Sequence, residues 1–231
     1  MRCGLFGKLS AKRDFIALAT PRRFLEMWEP WVQSCMASSQ HQLGSRWQNA
    51  FLTAPLWRFW LGADLSGATV LGTLMPSLDG VGRYYPLTLL AVADPNHSIP
   101  PPDSNAQEPW FAIAEEFLLA TLDRSKTFED ISAALDTLTP PETETTVSSS
   151  DQMLRLDDML VGTMTAGKTF QDSLTALRRG NHATAAAASF WWTAGGEDFP
   201  PLALASHGLP DPSHYSYLLT GKSPEQALER G

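Results

Sequence analysis

Trp57-Arg58-Phe59-Trp60, Ala68-Thr69-Val70-Leu71-Gly72-Thr73-Leu74-Met75 and Tyr84-Tyr85-Pro86-Leu87-Thr88-Leu89-Leu90-Ala91-Val92 decide the fold class. All three runs are rich in β-branched, aromatic and aliphatic residues, as strands are. Between the second and third lies Pro76-Ser77-Leu78-Asp79-Gly80-Val81-Gly82-Arg83, a connection dense in turn formers. Asp79-Gly80 supplies a tight turn and Gly82 a second permissive backbone position. The stretch therefore predicts adjacent antiparallel strands with a structured loop between them. Polar groups set on a loop whose ends are fixed by strands are a common place for function.

The flanking sequence supplies helices. Thr20-Pro21 predicts a helix start, and Phe24, Met27, Trp28, Trp31, Val32 and Cys35 then recur at helical spacing toward Gln40. Pro30 is expected to kink or divide that helix. Gly4 to Leu9 reads as a first strand, Trp47 to Leu52 as a short helix and Pro109 to Leu122 as a longer one. Thr127-Phe128-Glu129-Asp130 has the pattern of a capping box and predicts a helix through Leu138. Phe170 to Leu177 reads as a helix, Ser189 to Thr193 as a buried strand, and Pro210 to Leu219 and Pro224 to Leu228 as short terminal helices. The expected architecture is a single α/β (α+β) domain over 1–231, with a mainly antiparallel central sheet flanked by helices. Asp94 to Asp103 is expected to be irregular, and the polar segment 139–151 to be a mobile surface loop.

Composition narrows the function classes. The chain is 43% hydrophobic and 18% charged, a globular balance. Its longest apolar runs fall short of the ~18 residues of a membrane span, and the start lacks a signal-peptide core. Two cysteines, Cys3 and Cys35, are too few for a disulfide framework, so a cytoplasmic protein without membrane insertion is expected. The net charge of −8 conceals a basic head: residues 1–60 carry eight Lys and Arg against three acids, whereas 61–231 carry nine against 22. That acidic body argues against nucleic acid as a partner. The basic head could meet an acidic one.

Catalytic patterns are scarce. The five histidines show no metal-ligand spacing and no nucleophile–base arrangement, so neither a metal nor a cofactor is expected. Gly162-Thr163-Met164-Thr165-Ala166-Gly167-Lys168-Thr169 fits the Walker A pattern, and Leu89 to Asp94 resembles a Walker B strand. Context tells against both: only three apolar residues precede Gly162 within Asp157-Asp158-Met159-Leu160-Val161, and the supposed B strand comes before A. A nucleotide-binding enzyme using Lys168 and Thr169 is the competing class. Arg58, set among aromatic residues, is expected to be a structural polar anchor, with Asp14, Asp79 or Arg83 as possible partners.

Several of these runs, taken together and in order, resemble the TagF (ImpM) family associated with bacterial type VI secretion. They are Gly4-Leu5-Phe6-Gly7-Lys8-Leu9 with Asp14-Phe15, the Trp28/Trp31 helix, Leu43-Gly44 with Trp47, Ala54-Pro55-Leu56-Trp57-Arg58-Phe59, and Pro76 to Leu89. Trp191-Trp192 and Gly208-Leu209-Pro210 echo the family's C-terminal half. Ser10, Arg13 and Gly80 depart from the family's usual Pro, Gly and Arg. The resemblance implies a non-catalytic regulator that restrains secretion post-translationally through protein–protein binding. It also implies a forkhead-associated-domain scaffold protein as partner. The loop Ser77 to Arg83, with Ser77, Asp79 and Arg83 turned outward beside Asp14, is the expected partner-binding surface.

Overall fold

A computed structural model of the chain describes residues 1–145, 153–156, 159–162, 185–197 and 199–222. The sheet-forming runs assemble into one seven-stranded sheet in the order β11-β10-β3-β4-β5-β1-β2. Its strands are β1 (Cys3–Gly7), β2 (Ile16–Leu18), β3 (Trp57–Leu61), β4 (Val70–Met75), β5 (Leu87–Val92), β10 (Ala188–Thr193) and β11 (Leu202–His207). Every neighbouring pair is antiparallel. The two strands of the deciding stretch, β4 and β5, pair from Val70↔Val92 to Met75↔Leu87. Two further pairs stand outside this sheet: β6 (His97–Ser98) with β7 (Glu144–Thr145), and β8 (Met153–Leu156) with β9 (Met159–Gly162).

Strand alternation divides the core into two layers. On one face Trp57, Phe59 and Leu61 of β3 join Val70, Leu74, Leu90 and Trp191 under α1 (Arg22–Leu43), α2 (Trp47–Leu52) and α6 (Tyr215–Thr220). On the other, Trp60 joins Leu5, Leu71, Leu87 and Leu89 under α4 (Glu108–Ala120) and α5 (Phe128–Asp136). A single turn, α3 (Ala63–Ser66), links β3 to β4. Trp28 stacks near Trp191 at 5.9 Å and Phe59 at 4.7 Å between ring centres. The apposition needs Gly72: a Cβ there would lie 2.2 Å from the Phe59 ring. Buried indoles need an acceptor for their N–H. Trp31 donates to the Pro210 carbonyl at 2.7 Å, Trp57 to Leu218 at 2.9 Å and Trp60 to Ile99 at 2.9 Å. These bonds tie α1 to the segment after β11, and α6 and the Ile99 loop to β3.

The helix expectations that fall on described residues hold in kind and shift at their ends. Pro21 is the residue before α1 and not its first member, and α1 continues unbroken through Pro30 to Leu43. Gly44 closes it with φ of +52° and an N–H bonded to the Gln40 carbonyl. Thr127 and Asp130 form the reciprocal capping box of α5. His97–Ser98 pairs with Glu144–Thr145, so the Asp94–Asp103 segment is not wholly irregular. Gln107 clamps Glu142 from both sides, donating to its carbonyl at 3.1 Å and accepting from its N–H at 3.0 Å. Residues 146–151 of the predicted loop, most of the Walker-like run and the predicted helices at 170–177 and 224–228 lie outside the described residues. Sequence reading missed β2 and β11. Both are edge strands, and β11 (LALASH) alternates small residues that carry little strand signal.

Candidate functional site

Gly7 is where the site begins. It ends β1 with φ of +134°, and a Cβ there would sit 2.1 Å from the Pro86 carbonyl oxygen. Only glycine tolerates that combination. The close passage carries Lys8 inward beneath the β4–β5 loop. Its ammonium lies 2.6 Å from Asp79 Oδ2, with the side chains of Lys8 and Asp79 only 6% and 0% exposed. The Ser77 hydroxyl donates to the Lys8 carbonyl at 2.8 Å.

Asp79 is the hub of the loop. Its Oδ1 accepts the backbone N–H of Val81 at 3.0 Å and of Arg83 at 2.9 Å, while Oδ2 accepts Arg83 Nε at 2.7 Å. Burial alone would raise the carboxyl's pKa. The Lys8 ammonium, the Arg83 amide and guanidinium and the Val81 amide outweigh it, holding the group well below the usual carboxylate range. Asp79 N–H bonds to the Arg83 carbonyl at 3.1 Å and Tyr85 N–H to Ser77 at 3.1 Å, closing the loop's neck. Gly82 takes φ of +84° to complete the turn.

A second loop is locked onto the first. Residues 8–15 turn through a Lys12 N–H bond to the Leu9 carbonyl, and Gly80 N–H donates to the Lys12 carbonyl at 2.7 Å. A Cβ at Gly80 would already stand 3.0 Å from the Ser10 carbonyl oxygen, so glycine permits this approach. Arg83 Nη2 donates to the Arg13 carbonyl. Phe15 packs edge-on against Tyr85 at 4.7 Å, with the Lys8 ammonium 5.0 Å from its ring centre. Yet Phe15 remains 47% exposed, Val81 56%, and the Arg83 side chain 58%. Arg13 and Asp14 are exposed beside them.

The predicted site residues therefore separate. Asp14 and Arg83 face solvent, but Ser77 and Asp79 are buried, which corrects the expectation that the loop turns all its polar side chains outward. A buried carboxylate that accepts four hydrogen bonds is spent on the loop's shape. Lys8 and Phe15 were not singled out. The signal for Lys8 was a lone cation in the apolar run Gly4 to Leu9, since a cation drawn inside a protein needs an anion.

Arg58 has other partners than those expected. On β3 it points to the α4 side of the sheet, where its guanidinium lies 4.7 Å from the Phe111 ring centre. Nε and Nη2 engage Glu115 at 2.5 and 3.2 Å, and Nη1 reaches Glu108 at 2.8 Å. Glu108 and Glu115 sit two turns apart on α4, one face of the helix presenting both. This corrects the pairing with Asp14, Asp79 or Arg83.

The Walker B resemblance fails on topology. β5 runs antiparallel to both of its neighbours, β4 and β1, whereas a nucleotide-binding sheet holds that strand parallel. Among the described residues no cluster of three or more His, Cys, Asp or Glu could hold a metal ion, and no helix is long and apolar enough to cross a membrane. ATP or GTP is expected to leave the melting temperature unchanged. A nucleotide-dependent rise abolished by Lys168→Ala would establish the competing class.

The two interlocked loops, the β4–β5 pair and the α1 scaffold all fall within residues 4–138. Those residues match the family model described as the TagF N-terminal domain, type VI secretion system-associated. The chain belongs to the TagF family. The likeness extends beyond the matched segment. The crystal structure of PA0076 from Pseudomonas aeruginosa PAO1 superimposes with a TM-score of 0.79 at 32% identity, covering 96% of this chain and 95% of that one. No curated protein gave a significant sequence match. Family membership associates this TagF chain with type VI secretion, and the matched segment contains both the Asp79 hub and the Arg58 anchor.

Proposed function

We propose that this TagF protein is a non-catalytic, post-translational repressor of type VI secretion that acts by binding a forkhead-associated-domain scaffold protein in the cytoplasm. The observation that carries the reading is the pair of interlocked loops at 8–15 and 77–83. Asp79 and Lys8 hold them rigid from within, while Arg13, Asp14, Phe15, Val81 and Arg83 remain at the surface. A preorganised surface loses little conformational entropy on binding, so a modest set of contacts gives useful affinity. Repression then follows from mass action: the scaffold bound to this protein is withdrawn from the secretion machinery, to a degree that rises with the protein's concentration. Ser77 and Asp79 serve the surface from beneath, as the residues that shape it.

The test uses exposed positions only. Arg13→Glu with Val81→Glu, both at exposed positions, is expected to melt like the parent protein, to lose at least about ten-fold in affinity for the scaffold and to release secretion. Unchanged affinity and unchanged repression in that folded double variant would remove the loops from the interface.

A further inference from the structure

Residues 8–15 and 77–83 carry Lys8, Lys12, Arg13 and Arg83 against Asp14 and Asp79 only, a local charge of +2 in a chain whose net charge is −8. The inversion is concentrated at the point where the two loops interlock. Lys8 and Asp79 neutralise each other inside. What reaches the surface is Arg13, Arg83 and Lys12, with Asp14 as the one exposed carboxylate in either loop. Two apolar side chains stand among them, Phe15 at 47% and Val81 at 56% exposure.

Arg83, Lys12 and Phe15 are held, not loose. Arg83 is fixed by its Nε bond to Asp79 at 2.7 Å and by the Nη2 bond to the Arg13 carbonyl. A guanidinium has five N–H donors, so these two bonds leave donors for an acceptor arriving from outside. Lys12 lies 4.1 Å over the Phe128 ring, which fixes its ammonium at the patch edge. Phe15 is wedged against Tyr85 and Phe6, at 4.7 and 6.2 Å between ring centres. Fixed cations bordering exposed apolar side chains are what the centre and rim of a protein interface require.

We infer that this patch receives an acidic segment of the partner protein, one in which Asp or Glu side chains flank a buried aliphatic or aromatic residue. The inference rests on the proposed binding role of these loops and adds the chemistry of what they bind. The carboxylates meet Arg13 and Arg83, which can engage them bidentately. The apolar residue covers Phe15 and Val81. An anionic membrane is the less suited occupant. Polybasic lipid-binding clusters carry about 4–8 exposed cations, whereas this patch offers two exposed cations and the half-buried Lys12 with a carboxylate among them, on a body that anionic lipid would repel. The strongly acidic remainder of the chain also disfavours the same acidic segment elsewhere, so charge selects this one face.

The test employs the full chain and three labelled peptides: one with Glu and Asp flanking a Leu-Phe pair, the same peptide with Gln and Asn for the acids, and the same with Lys. Only the acidic peptide is expected to bind. Amide shifts should be confined to residues 10–15 and 79–85, with affinity falling about ten-fold or more as salt rises from about 0.05 to about 0.5 M. Arg13→Glu should abolish binding, and Arg13→Lys, which keeps the charge but not the paired N–H donors, should retain only part of it. Equal binding of the amide peptide, shifts centred elsewhere, or tighter capture by phosphatidylserine vesicles than by the acidic peptide would overturn the inference. A parallel titration uses the scaffold protein itself. Scaffold binding indifferent to salt and to Arg13→Glu would overturn the acidic-segment inference and leave the repressor reading standing. No scaffold binding, with the acidic peptide still bound at the patch, would do the reverse.

Discussion

Asp79→Ala is expected to destabilise the protein by about 3–5 kcal/mol, the largest effect of any single substitution at the loops. The carboxylate accepts from Lys8, from Arg83 twice and from Val81, and its side chain is fully buried. Removing it strands the Lys8 ammonium in an interior where only 6% of that side chain meets water. It also frees two backbone N–H groups that shape the turn, so the loop should lose its form as well as its anchor. Urea denaturation of variant and parent measures the loss. Lys8→Met offers a contrast: it removes the cation while leaving Asp79 with its other three bonds, and is expected to cost less than Asp79→Ala.

The same group sets an acid limit. Its folded pKa is depressed, so its stabilisation is fully present above the ordinary carboxylate pKa of about 4 and is lost as the pH falls through that value toward the folded one. The parent should therefore lose stability steeply below about pH 5, and Asp79→Ala should show a flatter profile across that window. Parallel profiles in the two proteins would mean that other carboxylates set the acid limit.

What the sequence disclosed depended on how local each signal was. The β4–β5 pair was legible because Val70 to Met75 and Leu87 to Val92 are apolar runs joined by turn formers, and the α5 start because Thr127 and Asp130 lie three residues apart. The inward turn of Asp79 was not legible. It depends on Lys8, 71 positions away, and on the passage that Gly7 permits. From the loop sequence alone, Asp79 resembles any turn aspartate exposed to water. Arg58 posed the same difficulty. The aromatic residues around it announced a half-buried guanidinium, but its acids came from α4, 50 and 57 positions downstream. Nothing local distinguishes Glu115 from its neighbour Glu116 in the sequence. Helical phase separates them, turning Glu115 to the sheet and Glu116 to solvent.

Arg58→Ala is expected to lower stability by about 1.5–3 kcal/mol, the range for hydrogen bonds to charged groups. Three features put it below the Asp79 effect. The Arg58 side chain is 14% exposed, Glu115 is 27% exposed and Glu108 63%, so the outer half of the cluster is screened by water. Against that, the guanidinium bridges two turns of α4, lies over Phe111 and tethers the helix to β3. Arg58→Lys should recover little, because an ammonium cannot bond Glu115 through two parallel N–H groups while lying flat on a ring. Arg58→Met keeps much of the apolar contact and leaves Glu115 beside the sheet without its cation. It therefore isolates the charge contribution. If melting temperatures of Arg58→Met and the parent coincide, the carboxylates are sufficiently hydrated to stand alone and α4 is held by Trp110, Phe111 and Phe117. If Arg58→Met falls as far as Arg58→Ala, the ion pairs to Glu115 and Glu108 are what fasten α4 to β3.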